Sequence, residues 1–321
     1  MLGPLSRQTQ RVPKLSAKPI DEKPIDNVKG ALILMLAACG FSIMVALIKL
    51  VGQRLPVTQI LFIRQLGMTV MLLPFLVSTF PSSLKTSHLR LHLLRIILAL
   101  IAMMAGFTAI INMPLADATA IAFAKSFFVT IFAVLILKET VGLYRWSAVF
   151  IGFVGVLIMV RPGTDGFSVY GLLAVVGAAG AGMVMVIIRM LTRIDHASTI
   201  LAYQAVGVGL VMAIPAFIHW VPPTNYEWML LIGIAVVSYF AQKANILAFT
   251  YGEASLLASL DYVRLLYATF LGWLIFTEVP ASSTWIGAGI IILASIYTVH
   301  RERMRKRRLA SDPHTRSLNP N

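Results

Sequence analysis

Two cations stand deep inside apolar sequence at corresponding places. Lys125 lies in a run that closes at Glu139, and Arg264 in a run that closes at Glu278. The members of each pair are 139 residues apart, and the same step carries Trp146 onto Trp285 and Gln65 onto Gln204. A charge at the centre of a bilayer costs about 2.5 to 3.5 kcal/mol on insertion scales, so such a residue lines a polar interior or pairs with another charge. An ammonium or guanidinium held there attracts an anion or a carbonyl oxygen. Ionisable groups at matching positions of a duplicated hydrophobic unit are the sequence signature of a solute pathway between internal repeats.

The remaining charges within apolar sequence are Arg64, Lys243 and Asp261. Asp261 precedes Arg264 by three residues, a spacing that puts both on one helix face and lets them pair. Lys125 has no such neighbour: the nearest acid on its own segment is Asp117, about two turns away. It must therefore meet a partner from another helix, or a ligand. Arg64 and Lys243 lie within about two turns of a segment end, where a long side chain can snorkel to the interface, so they are secondary candidates. Four cations against one carboxylate favour an anionic or carbonyl-rich solute.

Phe127 and Phe128, and Tyr262 and Tyr267, flank the two central cations and can stack on a flat solute or pack between helices. Gln65 and Gln204 can bind solute or bridge two helices. The candidate substrate-binding set is thus Lys125, Arg264, Asp261, Arg64, Gln65, Gln204, Tyr262 and Phe128. Glu139 and Glu278 are expected to accept hydrogen bonds from the free amides that open the next helix, a structural role. No catalytic, metal-binding or cofactor-binding pattern accompanies these residues. The single cysteine, Cys39, excludes a disulfide or thiolate cluster, and no GxxxxGK[ST] phosphate loop occurs.

The elements that must hold these groups are membrane helices. The chain is 58% hydrophobic and 12% charged, with a mean hydropathy of +0.84, too little polar surface for a water-soluble globule. A helix needs about 20 apolar residues to cross the hydrocarbon. Segments of about that length run over 31–50, 57–79, 91–112, 116–137, 146–161, 168–188, 198–218, 227–249, 254–276 and 284–300. The fold expected is all-α, a polytopic membrane protein of ten transmembrane helices in two five-helix repeats, 29–163 and 164–300. Five is odd, so the second repeat enters from the opposite side and the two are inverted. Glycines 152, 155, 287 and 289 mark packing faces, within one chain or between two copies of a homodimer.

The formal charge of +14 reflects orientation rather than nucleic acid. Lys85, Arg90 and Arg95, Lys138 and Arg145, and Arg189 and Arg193 flank the segments on one side, with few cations (Lys49, Arg54 and Arg161) on the other. The richer side is cytoplasmic, as are both termini. Residues 1–28 read as a disordered leader that is not a secretory signal. Residues 301–321 form a basic tail that anchors topology or touches acidic lipid headgroups.

Several stretches resemble the EamA family of the drug/metabolite transporter superfamily. They are LKET at 137–140, RWSAV at 145–149, GFVG at 152–155 and LIMVRPG at 157–163, with DYVRL at 261–265, TEVP at 277–280 and WIGAG at 285–289 in the second half. The resemblance implies a ten-helix inner-membrane carrier with two inverted repeats around a central cavity, moving a small organic molecule in either direction. Family solutes include amino acids, flavins, S-adenosylmethionine and opine-type metallophores. Many members have proline in the middle of the fourth span, where this chain has Ala124, Lys125 and Ser126. Interior charge ranks a planar, carbonyl-rich solute such as riboflavin above cationic S-adenosylmethionine. The competing classes are an integral-membrane enzyme, disfavoured because Asp261 is the one acid well inside a span, and a membrane scaffold.

Overall fold

In lipid no water satisfies a bare peptide group, so an apolar chain of this kind must close its hydrogen bonds within helices. The structure, a computed structural model, describes residues 26–78, 86, 88–138, 143–161, 168–191, 195, 197–251 and 260–311. Most of the leader, Lys85, Glu139, Arg193, the start of the expected ninth segment and the end of the basic tail lie outside the described residues.

Among the described residues there are eleven helices and no strands. They are α1 (Asn27–Val51), α2 (Val57–Ser78), α3 (Leu89–Asn112), α4 (Leu115–Ala122), α5 (Lys125–Leu137), α6 (Leu143–Val160), α7 (Val169–Leu191), α8 (Ala197–Ile218), α9 (Asn225–Tyr251), α10 (Val263–Phe276) and α11 (Ser282–Ser311). Seven stretches are long and apolar enough to cross a membrane, with α4 and α5 together forming one of them. The count of seven is that of the described residues. The apolar parts of α6, α10 and α11 are shorter, at Val149–Val160, Val263–Phe276 and Ser282–Ala294. Large apolar side chains such as Leu36, Val77, Leu210, Ile214 and Phe217 point outward, as a lipid-facing surface requires.

The helix neighbours follow the repeat. Adding 139 residues maps α1, α2, α3, α5 and α6 onto α7, α8, α9, α10 and α11. Helix α1 packs on α9 and α3 packs on α7, and each pair is the repeat image of the other. The mates α2 and α8 touch directly, as do α6 and α11. Helices α5 and α10 end alike: Lys138 (φ 52°) and Thr277 (φ 54°) are repeat-equivalent, left-handed caps. At Thr277 the amides of Thr277 and Glu278 turn back to the carbonyls of Trp273 and Gly272, a helix-terminating turn.

The glycines do not act together. A Cβ at Gly155 would lie 2.9 Å from the Gly287 carbonyl oxygen, so α6 and α11 meet backbone to backbone. A Cβ at Gly289 meets nothing within 4 Å, which removes it from the intrachain packing face expected of it. Gly155→Ala should therefore lower thermal stability in detergent by about 1 to 3 kcal/mol through overpacking, while Gly289→Ala should leave it unchanged or slightly raised; equal shifts would contradict this contact.

Candidate functional site

Both central cations stand at helix breaks. Helix α4 stops at Ala122, Phe123 and Ala124 form a turn, and Lys125 is the first residue of α5. In the second repeat Asp261 and Tyr262 form the turn and Arg264 is the second residue of α10. The first break forms without proline. Hydroxyls answer backbone carbonyls left near these turns: Ser126 Oγ donates to Phe123 O (2.7 Å), and Ser42 Oγ donates to Arg264 O (3.2 Å). Phe123 and Tyr262, themselves 139 residues apart, touch with ring centroids 4.9 Å apart.

A cavity of about 260 Å³ lies between α1, α3, α4, α5, α7 and α10, and both Lys125 and Arg264 line it. Arg264 Nη2 donates to Asp261 Oδ1 at 2.8 Å, and its guanidinium lies 4.5 Å from the centroid of Phe41, another lining residue. Its buried Nε has no hydrogen-bond partner. Lys125 is partly exposed to the cavity, and among the described residues its ammonium has neither a hydrogen bond nor an ion pair; the charges facing it are Arg264 and Asp261. Two cations and one carboxylate leave one positive charge at the cavity uncompensated. Apart from Thr119, the other walls are apolar, with alanines and glycines from α3, α4 and α7 beside Phe41, Phe107 and Phe123.

The remaining candidates gather elsewhere. Arg64 is buried and does not snorkel, because polar groups within the bundle hold it: Nε donates to Ser238 Oγ (3.0 Å) and Nη1 to Gln65 Oε1 (2.7 Å). Gln65 Nε2 donates to the carbonyl of its repeat mate Gln204 at 3.4 Å. Arg95 completes the network through Ile200 O (2.8 Å) and Gln204 Oε1. The sequence reading had set Arg95 among the flanking loop cations; it is instead almost wholly buried on α3. Its signal was the His92–Arg95 spacing of three, which puts both on one face of an apolar helix. Phe107 stands between this network and the cavity, its ring centroid 5.9 Å from the Arg64 guanidinium. Phe128 packs with Phe132 and Phe153. Lys243 is exposed near Tyr239.

Polar clusters close both ends of the bundle. At one end the Glu278 carboxylate pairs with Lys49 and accepts from Leu115 N (2.8 Å), the first amide of α4. The expectation that Glu278 caps the helix after it is corrected: the turn after α10 aims it at α4. Lys49 also donates to Met113 O (2.6 Å). Nearby, Arg54 pairs with Glu227, whose hydrogen bond raises the guanidinium's pKa further above its already high value. At the other end Asp195 Oδ2 lies 2.8 Å from His92 Nε2 and accepts from Thr86 Oγ1 at 2.7 Å. His92 stacks on Tyr203, ring centroids 4.3 Å apart. Burial alone would raise the Asp195 pKa, but the hydrogen bonds from His92 and Thr86 hold it below the ordinary carboxylate range. None of this end was read from the sequence, since Asp195 sits in a short polar loop.

Comparison with known proteins places these features. Residues 28–161 and 169–299 each match the EamA-like transporter family. The chain is 31% identical over 289 residues to a riboflavin transporter of Vibrio cholerae, covering 88% of this chain and 96% of that one. It is 33% identical over 275 residues to a pseudopaline exporter of Pseudomonas aeruginosa, covering 83% and 94%. It is 29% identical over 276 residues to an S-adenosylmethionine uptake transporter of Rickettsia prowazekii, covering 86% and 94%. A protein of known crystal structure, 16% identical, superposes with a TM-score of 0.60 over 87% of this chain and 99% of its own, a likeness of fold alone.

A depressed carboxylate pKa contributes stability that is present above the unfolded value, about 3.9, and is lost as pH falls through the folded one. Thermal stability in detergent should therefore drop below about pH 4, and the drop should be smaller in Asp195→Asn; identical acid profiles would show that the His92–Asp195–Thr86 cluster is not the group titrating.

Proposed function

The chain belongs to the EamA-like transporter family, and on that premise we propose that it is a secondary carrier for a small planar, carbonyl-rich or anionic metabolite such as riboflavin. In this reading ten spans form two inverted repeats, 29–163 and 164–300, in the cytoplasmic (inner) membrane with both termini inside. The observation that carries it is Lys125, without a bonded partner among the described residues, in a cavity whose other walls, Thr119 and the Asp261-paired Arg264 aside, are apolar. A full negative charge about 4 Å from that ammonium gains about 4 kcal/mol at an effective dielectric of about 20. A carbonyl oxygen gains less. Phe41, held against Arg264, offers a ring face for stacking.

Alternating access supplies the movement. The Lys49–Glu278 and Arg54–Glu227 pairs tie one end of the bundle, and the His92–Asp195–Thr86 cluster ties the other. A carrier releases one set while keeping the other. The repeat-equivalent contacts Phe123–Tyr262 and Gln65–Gln204 sit where two related halves would rock against each other. Tyr262, Asp261, Gln65, Gln204, Arg64 and Phe128 then act around the solute site rather than all at it. Gly155 and Gly287 are occupied in the α6–α11 contact, so of the glycines considered for a homodimer Gly289 remains available.

A second reading has one specific observation in its favour. Arg64 and Arg95 are buried without a carboxylate partner among the described residues, which adds to the positive interior and suits a fully anionic solute, of the opine type, over a neutral one.

In membrane vesicles carrying the chain, saturable riboflavin movement should be lost in Lys125→Ala, with folded protein present in normal amount, and partly kept in Lys125→Arg. Movement of an opine carboxylate but not riboflavin would favour the second reading. For the ion pair, Asp261→Asn combined with Arg264→Gln should impair transport less than the sum of the two single losses; strict additivity would show that the two groups act independently.

A further inference from the structure

Gly106 on α3 lines the cavity, and a Cβ built on it meets no atom within 4 Å. Other glycines at the same helix crossing differ. A Cβ at Gly177 on α7 would come within 3.0 Å of the Gly106 backbone, and one at Gly180 would lie 2.9 Å from the Ala102 Cβ. Those two are glycine because α3 and α7 touch there. Gly106 has no such reason. Glycine inside a helix weakens it relative to alanine, and neither a turn nor a close helix contact requires it at 106. What the missing methyl provides is space inside the cavity.

We propose that Gly106 is a specificity-determining residue of this carrier. By leaving a gap between Met103 and Ile110 in the α3 wall, it opens a slot in which a planar ring lies along small residues of α3 and α7, with its polar edge reaching Lys125. The proposal rests on the planar-solute reading and names the surface that would recognise the plane. Beside Gly106 the wall has the small residues Ala109, Ala174, Gly177, Ala178 and Ala181, with the larger Met103 and Ile110 one turn to either side of it on α3. Phe41, Phe107 and Phe123 supply the aromatic faces. The cavity's 260 Å³ falls just below the range of about 300 to 1,000 Å³ common for organic ligands. Each methyl or methylene added at 106 therefore takes a meaningful share of it.

The test is a graded series, Gly106→Ala, Gly106→Val and Gly106→Leu, measured for riboflavin transport in vesicles, with Gly289→Ala as a control whose Cβ also meets open space but away from the cavity. KM should rise stepwise, by roughly tenfold or more at valine, at constant amounts of folded protein and with the control unchanged. A flat series would overturn the proposal. A second measurement does not depend on transport. Cys39 is the one native cysteine, so Cys39→Ser combined with Gly106→Cys carries a single thiol at the slot. That thiol should react with a small membrane-permeant thiol reagent and be protected by excess riboflavin. A thiol that stays unlabelled would overturn the slot itself. Absence of riboflavin movement by the unaltered chain would instead overturn the solute reading on which the proposal rests.

Discussion

A lysine ammonium among hydrocarbon needs a counter-charge, a set of carbonyls or water, and the other buried cations of this bundle each find one of the first two. Lys49 has Glu278 and a carbonyl. Arg264 has Asp261 and the face of Phe41. Arg64 and Arg95 have glutamine, serine and backbone oxygens. Lys125 alone among these opens onto a cavity with no bonded partner among the described residues. The helix breaks and the small-residue walls hold that one charge at the cavity, inside the bundle.

The repeat explains how the site is held. Breaks at 123–124 and 261–262 overlap under the repeat, the second one residue earlier, and they place one cation from each half at the same cavity while their neighbours Phe123 and Tyr262 touch. Left-handed caps at Lys138 and Thr277 end the two post-break helices alike. The repeats then diverge in charge. Asp261 neutralises Arg264, whereas its counterpart 139 residues earlier is Ala122, which leaves Lys125 unneutralised. Duplication built the frame, and this difference makes its two halves unequal in charge at the cavity.

Much of this was legible in the residues. The interval of 139 gave the repeats, hydropathy gave the helical class, and the spacing of three gave the Asp261–Arg264 pair. Long-range contacts were not legible. Arg95 looked like a loop cation because segment ends are uncertain by a few residues and Gln204, its partner, is 109 residues away in sequence. Glu278 was placed on the wrong helix because the turn that redirects it depends on the Thr277 backbone. Gly106 carried no signal, since its meaning lies in the space beside it.

The central claim is that Lys125 meets the solute. The most direct measurement is the rate at which a small amine-reactive reagent modifies Lys125 in the membrane-embedded protein, followed by mass spectrometry with and without saturating riboflavin. The account predicts modification of the empty carrier and strong protection by solute. A rate indifferent to riboflavin, in membranes where the chain is transporting it, would show that Lys125 is not part of the binding surface.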